Sequence, residues 1–248
     1  MSKFKVVILA AGLGKRMNNH SLPKALTPLK GKPLIAYLLE AVAKSDLATK
    51  PVIIVGKLAE QVQQTLGPDY IYVLQSPQLG TGHALMVARP VLENQAENIL
   101  VLYSDQPLVS SATIRKIVAV HLASQTVITM GTVTVNDFAD WREGYYDFGR
   151  IVRDYNGNVQ SIVEKKDATA EMLEIKELNP SYFCFKASWL WSNLDDLGNH
   201  NVQGEYYLTD LIKIARSQGE PISTVAIDPK EALGVNNEAQ LTLIEELL

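Results

Sequence analysis

Apolar residues in this chain fall into short unbroken runs separated by stretches with helical spacing, and the alternation predicts most of the fold. Val6, Val7, Ile8 and Leu9 are consecutive, the pattern of a central parallel strand covered on both faces. Pro51 to Val55, Tyr70 to Leu74 and Asn98 to Tyr103 are further strand-like runs. Between them, Leu34 to Ala43 places Leu38, Leu39 and Val42 at helical spacing, Glu60 to Leu66 reads as a short helix, and Ala84 to Leu92 as another. Strands alternating with helices at these intervals predict an α/β fold with a doubly wound, mostly parallel sheet.

The second half has a different texture. Val127 to Val135, Val159 to Val163 and Tyr182 to Phe185 are strand-like, Gly144 to Gly149 and Asn156 to Asn158 are turn-rich, and Tyr206 to Arg216 and Leu241 to Leu248 are helical. One domain over residues 1–248 is expected, with a first lobe to about position 108 and a second over about 109–248. The 248 residues suffice for a sizeable core. No low-complexity stretch or hexapeptide repeat interrupts the chain.

Charge narrows the ligand classes. A net charge of −4 gives no general attraction to nucleic acid or to an anionic membrane, so an anionic ligand must be met by local cations. No run approaches the ~18 apolar residues of a membrane span. Lys3 and Lys5 before an apolar run imitate a signal peptide, but cleavage there would delete the first strand, and processing is not expected. The single cysteine, Cys184, lies inside an apolar run, reads as an inert buried thiol and suits the cytoplasm.

Candidate chemistry begins where the first strand ends. Leu9, Ala10, Ala11 and Gly12 lead through Gly14 to Arg16 and Lys24. Glycines at a strand's carboxyl end let backbone N–H groups approach an anion, and the two cations add charge, so the loop is suited to a polyphosphate. A dinucleotide fingerprint would need glycine at Met17 and an acidic residue after Val55, where Gly56 stands; a Walker loop would need Ser or Thr at Arg16. Asp105 follows the strand ending at Tyr103 and should lie at the same sheet edge, where a carboxylate beside a triphosphate needs a cation such as Mg2+ between them. Gln75 offers both donor and acceptor at another strand end, and Gly80-Thr81-Gly82 lets backbone approach a ring. His83 reads as a structural or capping histidine.

The runs Gln78 to Ala84, Phe148 to Arg153, Ile162 to Ala168, Gln203 to Asp210 and Gly234 to Asn237 occur in this order. They resemble the uridyltransferase domain of the bacterial N-acetylglucosamine-1-phosphate uridyltransferases, within the sugar-1-phosphate nucleotidyltransferases, over nearly the whole chain. The resemblance implies a Rossmann-like nucleotidyltransferase fold with a smaller sugar-binding lobe, and transfer of UMP from UTP to N-acetylglucosamine 1-phosphate with Mg2+. Leu9 to Gly12, Gly14, Lys24, Gln75, Gly80 and Thr81 would hold the nucleotide, with Arg16 on the phosphates. Tyr103, Ser104, Gly149, Glu164 and Asn179 would line the sugar nucleotide. Asp105 and Asn236 would hold the metal, and Arg16, Lys24 and Asp105 would carry catalysis. The family's β-helix acetyltransferase has no counterpart in the sequence, so that second activity is not expected.

Departures from the family pattern gather on the sugar side. Ser104 stands where glycine usually precedes the aspartate, Pro180-Ser181 follows Asn179 where Thr-Gly is usual, and Asn136 to Phe148 is longer and aromatic-rich. Other readings are another hexose 1-phosphate as acceptor, such as glucose 1-phosphate, a molybdopterin nucleotidyltransferase, suggested by Asp105-Gln106-Pro107, and a non-catalytic nucleotide-sugar binding protein. The glutamate and Gln203 to Asp210 runs oppose the second, and the intact Arg16, Lys24, Asp105 and Asn236 oppose the third. Oligomeric state is not legible.

Overall fold

The computed structural model describes residues 2–12, 14, 21–47 and 49–248. β1 (Ser2–Ala10) has the two-faced character its unbroken apolar run demands. Val6, Ile8 and Ala10 join one core cluster and Val7 and Leu9 the other. Burying each Val, Ile or Leu side chain contributes about 1.5–3 kcal/mol, so this strand anchors both layers.

After a small hairpin, β2 (Pro28–Leu29) with β3 (Lys32–Pro33), come α1 (Leu34–Ala43), β4 (Val52–Val55), α2 (Ala59–Leu66), β5 (Ile71–Leu74), α3 (Thr81–Leu92) and β6 (Ala96–Tyr103). The chain continues with α4 (Ser111–Ser124), β7 (Ile128–Thr134), a 3₁₀ segment Asp140–Asp147, β8 (Gly149–Arg153), β9 (Val159–Val163), α5 (Ala170–Leu173), β10 (Glu177–Asn179), β11 (Phe183–Lys186) and α6 (Ala187–Asn193). It closes with α7 (Leu211–Ser217), β12 (Ile222–Ala226) and α8 (Glu238–Leu247). The main sheet runs β5-β4-β1-β6-β11-β7-β10-β8-β9, with β12 against β7.

From β5 to β6 the sheet is the parallel, doubly wound one that the apolar runs predict. β4 and β6 flank β1 in parallel, with Ala10 opposite Val55 and Leu9 opposite Tyr103, and β5 parallels β4. Helices α1 and α4 pack on one face and α3 and α6 on the other. Beyond β6 the pairing turns antiparallel, through β11 to β7, β10, β8 and β9, while β12 adds to β7 in parallel. Among the described residues no helix is long and apolar enough to cross a membrane.

Three helix starts differ from expectation: α8 begins at Glu238 rather than Leu241, where Asn237 caps it by accepting from Gln240 N. Helix α3 starts at Thr81 rather than Ala84. Tyr206 and Tyr207 are not helical, and α7 begins only at Leu211. The backbone of Tyr206 is committed elsewhere, accepting from Gly82 N at 2.8 Å and donating to Leu79 O at 2.8 Å, and cannot also enter a helix. Helix α4 was not predicted by spacing, although Ser110 caps it by accepting from Thr113 N.

Candidate active site

Parallel register delivers the site. Because β5, β4, β1 and β6 point the same way, the segments after Leu74, Val55, Ala10 and Tyr103 all leave the sheet at one edge. Two contacts extend the ladder past the strands: Gln75 N donates to Val55 O at 2.8 Å, and Ser104 N to Leu9 O at 3.1 Å. Gln75, Ser104 and Asp105 are therefore placed by the sheet itself.

Two cavities adjoin there. The first, about 340 Å³, is lined by Leu9, Ala11, Gly12, Lys24, Gln75 and Gln78 together with Gly80, Thr81, Tyr103, Ser104, Asp105 and Glu205. The second, about 160 Å³, is bounded by Gly149, Glu164, Asn179, Ser181, Gln106 and Asn236, with Tyr103 and Asp105 again in its wall. Tyr103 and Asp105 thus form the seam. Ser104 faces the first cavity rather than the second, while Ala10 is buried and lines neither. Arg16 lies outside the described residues.

A lysine spans the seam. The Lys24 ammonium donates to Asp105 Oδ2 and, at 2.7 Å, to Asn236 Oδ1. Asn236 comes from the far end of the chain, and its position follows from Val235: Val235 is fully buried, and its N–H donates to Asp105 O at 2.9 Å. The Asn236 N–H donates to Gln240 Oε1 at 2.7 Å, and Asn237 caps α8 by accepting from Gln240 N. Gly234-Val-Asn-Asn is thus a strap tied to the Asp105 loop at one end and to a helix start at the other. Two hard oxygens converge on one positive charge, which is the donor set a small divalent cation takes from protein when phosphate and water complete its shell. Among the described residues no group of three or more His, Cys, Asp or Glu could hold a metal by itself.

The glycines after Gln75 serve a contact with protein. Gly80 has φ +104°, and a Cβ there would lie 2.6 Å from Tyr206 O; one on Gly82 would lie 3.0 Å from the same oxygen. Thr81 Oγ1 accepts from Leu208 N at 3.0 Å. Gln203 to Asp210 therefore clasps the Leu79–Gly82 turn backbone to backbone. Gln75 holds this turn from inside, donating through Nε2 to Gly80 O at 2.8 Å and lying 3.3 Å from His83 Nδ1. His83 accordingly has a positioning role. Sequence reasoning missed Gln78, whose Nε2 donates to Ala11 O across Gly56, where a Cβ would meet it at 2.3 Å. Its signal in the sequence was its place at the head of the Gln78 to Ala84 run.

The second cavity is rich in acceptors. Asn179 Oδ1 accepts from Ser181 N at 2.9 Å, and this turn over Pro180 puts Ser181 at φ +66°. A Cβ on Gly149 would come 3.3 Å from Glu164 Oε1 and 2.9 Å from Ile162 Cγ2. Burial pushes the Glu164 carboxyl above its ordinary value, partly opposed by donation from the Thr209 hydroxyl at 3.2 Å. Burial likewise raises the Tyr103 phenol, with the Thr81 and Ser181 side chains acting in the opposite sense. Most of the aromatic stretch before Phe148 lies outside this wall: Trp141 and Tyr146 line a separate cavity of about 890 Å³, with Asp147 common to both.

A parallel sheet with a glycine turn, a lysine and a carboxylate at its carboxyl edge, opening on two adjoining cavities, is the frame of a nucleotidyltransferase. The MobA-like NTP transferase domain model matches residues 6–144, and the chain belongs to that family. The bifunctional protein GlmU of Clostridium novyi (strain NT) is 40% identical over 243 residues, 98% of this chain and 51% of that protein. GlmU of Burkholderia vietnamiensis is 43% identical over 245 residues, again 98% and 51%. The chain spans about half the length of the curated relatives it matches. A UDP-glucose pyrophosphorylase solved with UDP-glucose has the same fold, with a TM-score of 0.77 at 16% identity, covering 100% of this chain and 98% of that one.

Proposed function

We propose that the chain transfers UMP from UTP to N-acetylglucosamine 1-phosphate and releases pyrophosphate, with the nucleotide in the lobe over about 1–108 and the acceptor against the lobe over about 109–248. One observation carries the reading: Lys24, Asp105 and Asn236 meet at the seam between the two cavities, where a nucleotide's phosphates and an acceptor phosphate would have to meet. The collinear runs shared with the uridyltransferases support the choice of base and sugar.

Asp105 and Asn236 would hold Mg2+, which when bound supplies charge neutralisation at the reacting phosphates. Lys24, turned away from those oxygens, then has its ammonium available for a non-bridging phosphate oxygen, and Arg16 would act on the departing pyrophosphate. The nucleophile is a phosphate oxygen with a second pKa near ~6, largely ionised at neutral pH, so no general base is needed. The protein's contribution is in-line positioning and fixed charge. Gln75 and the clasped Gly80–Thr81 turn present polar edges to the base, while Glu164, Asn179 and the Gly149 backbone face the sugar.

Pyrophosphate release measured with four NTPs crossed against a panel of sugar 1-phosphates tests the proposal. UTP with N-acetylglucosamine 1-phosphate should give the highest kcat/KM. A preference for another sugar phosphate would overturn the acceptor assignment, and UDP-N-acetylglucosamine binding without turnover would overturn the enzymatic one.

A further inference from the structure

The strap that carries Asn236 is fixed by two successive N–H groups. That of Val235 donates to Asp105 O at 2.9 Å. That of Asn236 donates to a side chain, Gln240 Oε1, at 2.7 Å. Gln240 lies in the first turn of α8, where its own N–H donates to Asn237 Oδ1 at 2.8 Å. In the usual reciprocal arrangement a glutamine at this position reaches back to the N–H of the capping residue. Here it reaches one residue further, to Asn236, and what it pins is the backbone of a residue whose Oδ1 accepts from the Lys24 ammonium at 2.7 Å. Only the side-chain torsions of Asn236 separate the pinned nitrogen from that oxygen.

Gln240 is itself held from the other side. A Cβ on Gly144 would stand 2.7 Å from Gln240 Nε2 and 3.7 Å from its Cδ, so the 3₁₀ segment Asp140–Asp147 packs its glycine directly against the amide. That segment is anchored in the core next to Gly144. Tyr145 is fully buried, its hydroxyl donates to Pro229 O, and its ring meets those of Trp141 and Phe148 edge to face at 6.1 and 5.0 Å. The longer aromatic stretch therefore has a contact that leads, through a single side chain, to Asn236.

We propose that Gln240 is a positioning residue for the divalent-cation site: by holding the Asn236 N–H it keeps Asn236 Oδ1 beside Asp105, and Gly144 keeps the Gln240 amide in the place from which it does so. This rests on the reading of Asp105 and Asn236 as the groups that hold Mg2+. Partners that orient a ligand without touching the ion typically set its affinity by about 10–100-fold, and Gln240 has that relation to Asn236.

The test reads ion affinity rather than turnover. Mn2+ is titrated without nucleotide against wild type, Gln240→Leu, Gln240→Glu, Gly144→Ala, Asn237→Ala and Asn236→Ala, followed by the EPR signal of the free ion, with Tm measured in parallel. Gln240→Leu should bind Mn2+ about tenfold or more weakly. Gln240→Glu, whose carboxylate still accepts from the Asn236 N–H, should bind at least as tightly as wild type. Gly144→Ala displaces only the end of a flexible side chain, so it should fold normally yet weaken binding by at least about twofold, the lower end of the coupling between residues in contact, and add nothing in the Gln240→Leu background. Asn237→Ala removes the helix cap while leaving Gln240 Oε1 in place; it should lower Tm and leave Mn2+ affinity unchanged. Gln240→Leu or Gly144→Ala binding as wild type does, Gln240→Glu or Asn237→Ala losing as much as Gln240→Leu, or additive losses in the double variant would each overturn the positioning role. Should Gln240→Leu fold poorly, Gly144→Ala carries the same comparison. Asn236→Ala binding Mn2+ as tightly as wild type would instead overturn the assignment of the metal site itself.

Discussion

The Lys24 ammonium stands where Asp105 and Asn236 would hold a cation, so the lysine and the metal should compete. Lys24 and Asp105 side chains are only 13% and 23% exposed. Charges near contact at an effective dielectric of about 20 attract by about 5 kcal/mol, most of which is offset by desolvation and side-chain ordering, leaving a net of about 1–2 kcal/mol. Removing the ammonium should therefore free the two oxygens by that amount, or about 5–30-fold in an equilibrium constant.

Lys24→Met tests this without turnover. In the absence of nucleotide, Mn2+ titrated against protein and followed by the EPR signal of free ion should bind Lys24→Met about 5–30-fold more tightly than wild type. Adding Asn236→Ala or Asp105→Asn to Lys24→Met should abolish the gain. In turnover the same Lys24→Met variant should be slower by about 10²-fold or more, because the ammonium is then missing from the phosphates. Tighter ion binding and slower catalysis from one substitution is a combination that a purely structural salt bridge does not produce. Mn2+ affinity equal to or weaker than that of wild type would refute the shared-site argument, and an unchanged kcat would remove Lys24 from the chemistry.

Three further outcomes follow from other parts of the molecule. Gly80→Ala combines φ +104° with a Cβ 2.6 Å from Tyr206 O and should cost about 2–4 kcal/mol in urea unfolding, against about 1–2 kcal/mol for Gly157→Ala, where φ is +81° and nothing lies within 4 Å; equal costs would show that the clasp does not constrain Gly80. His121 is buried between Thr129 Oγ1 at 2.9 Å and Asn98 Oδ1 at 3.1 Å, and burial lowers its pKa to about 4; a lowered folded value stabilises above the unfolded pKa of about 6.5 and fades as pH falls toward 4, so wild type should lose up to about 3 kcal/mol over that window and His121→Gln less, as read from urea midpoints. In kcat/KM, N-acetylglucosamine 1-phosphate should exceed glucose 1-phosphate, with the latter measurable, since apolar bulk alone discriminates by only ~1–3 kcal/mol; the reverse order would sink the acceptor assignment.

How much was legible in the sequence depended on how local the cause is. Val6 to Leu9 states its own burial, because a short run of four large apolar residues ended by a glycine loop suits a strand covered on both faces, and the parallel register then fixes where Gln75 and Asp105 must emerge. Glycine turns were legible as places of close approach, but not what approaches: Gly80 and Gly82 make room for Tyr206, a partner far away in sequence. Spacing could not pair Asp105 with Asn236, since the link is a backbone bond from buried Val235 to Asp105 O, with no side-chain pattern.

The second cavity was least legible because its walls are set by buried polar groups with unusual partners. Arg150 is fully buried among the described residues, donating to the carbonyls of Tyr146 and Phe148 at the turn before β8, with the Phe138 and Tyr146 rings each 5.1 Å from its guanidinium. Burial lowers its pKa, although Tyr146, Asp147 and Glu174 nearby act in the opposite sense. A guanidinium held by carbonyls and aromatic faces fixes Tyr146 to Phe148, and the next residue, Gly149, lies beside Glu164 in the cavity wall. The longer aromatic stretch is therefore scaffolding for the cavity rim as well as the wall of the 890 Å³ space beside it. Sequence shows arginine, tyrosine and phenylalanine close together; that the cation is inside, and that it shapes the second cavity at one remove, follows only from where β8 pairs with β9 and β10.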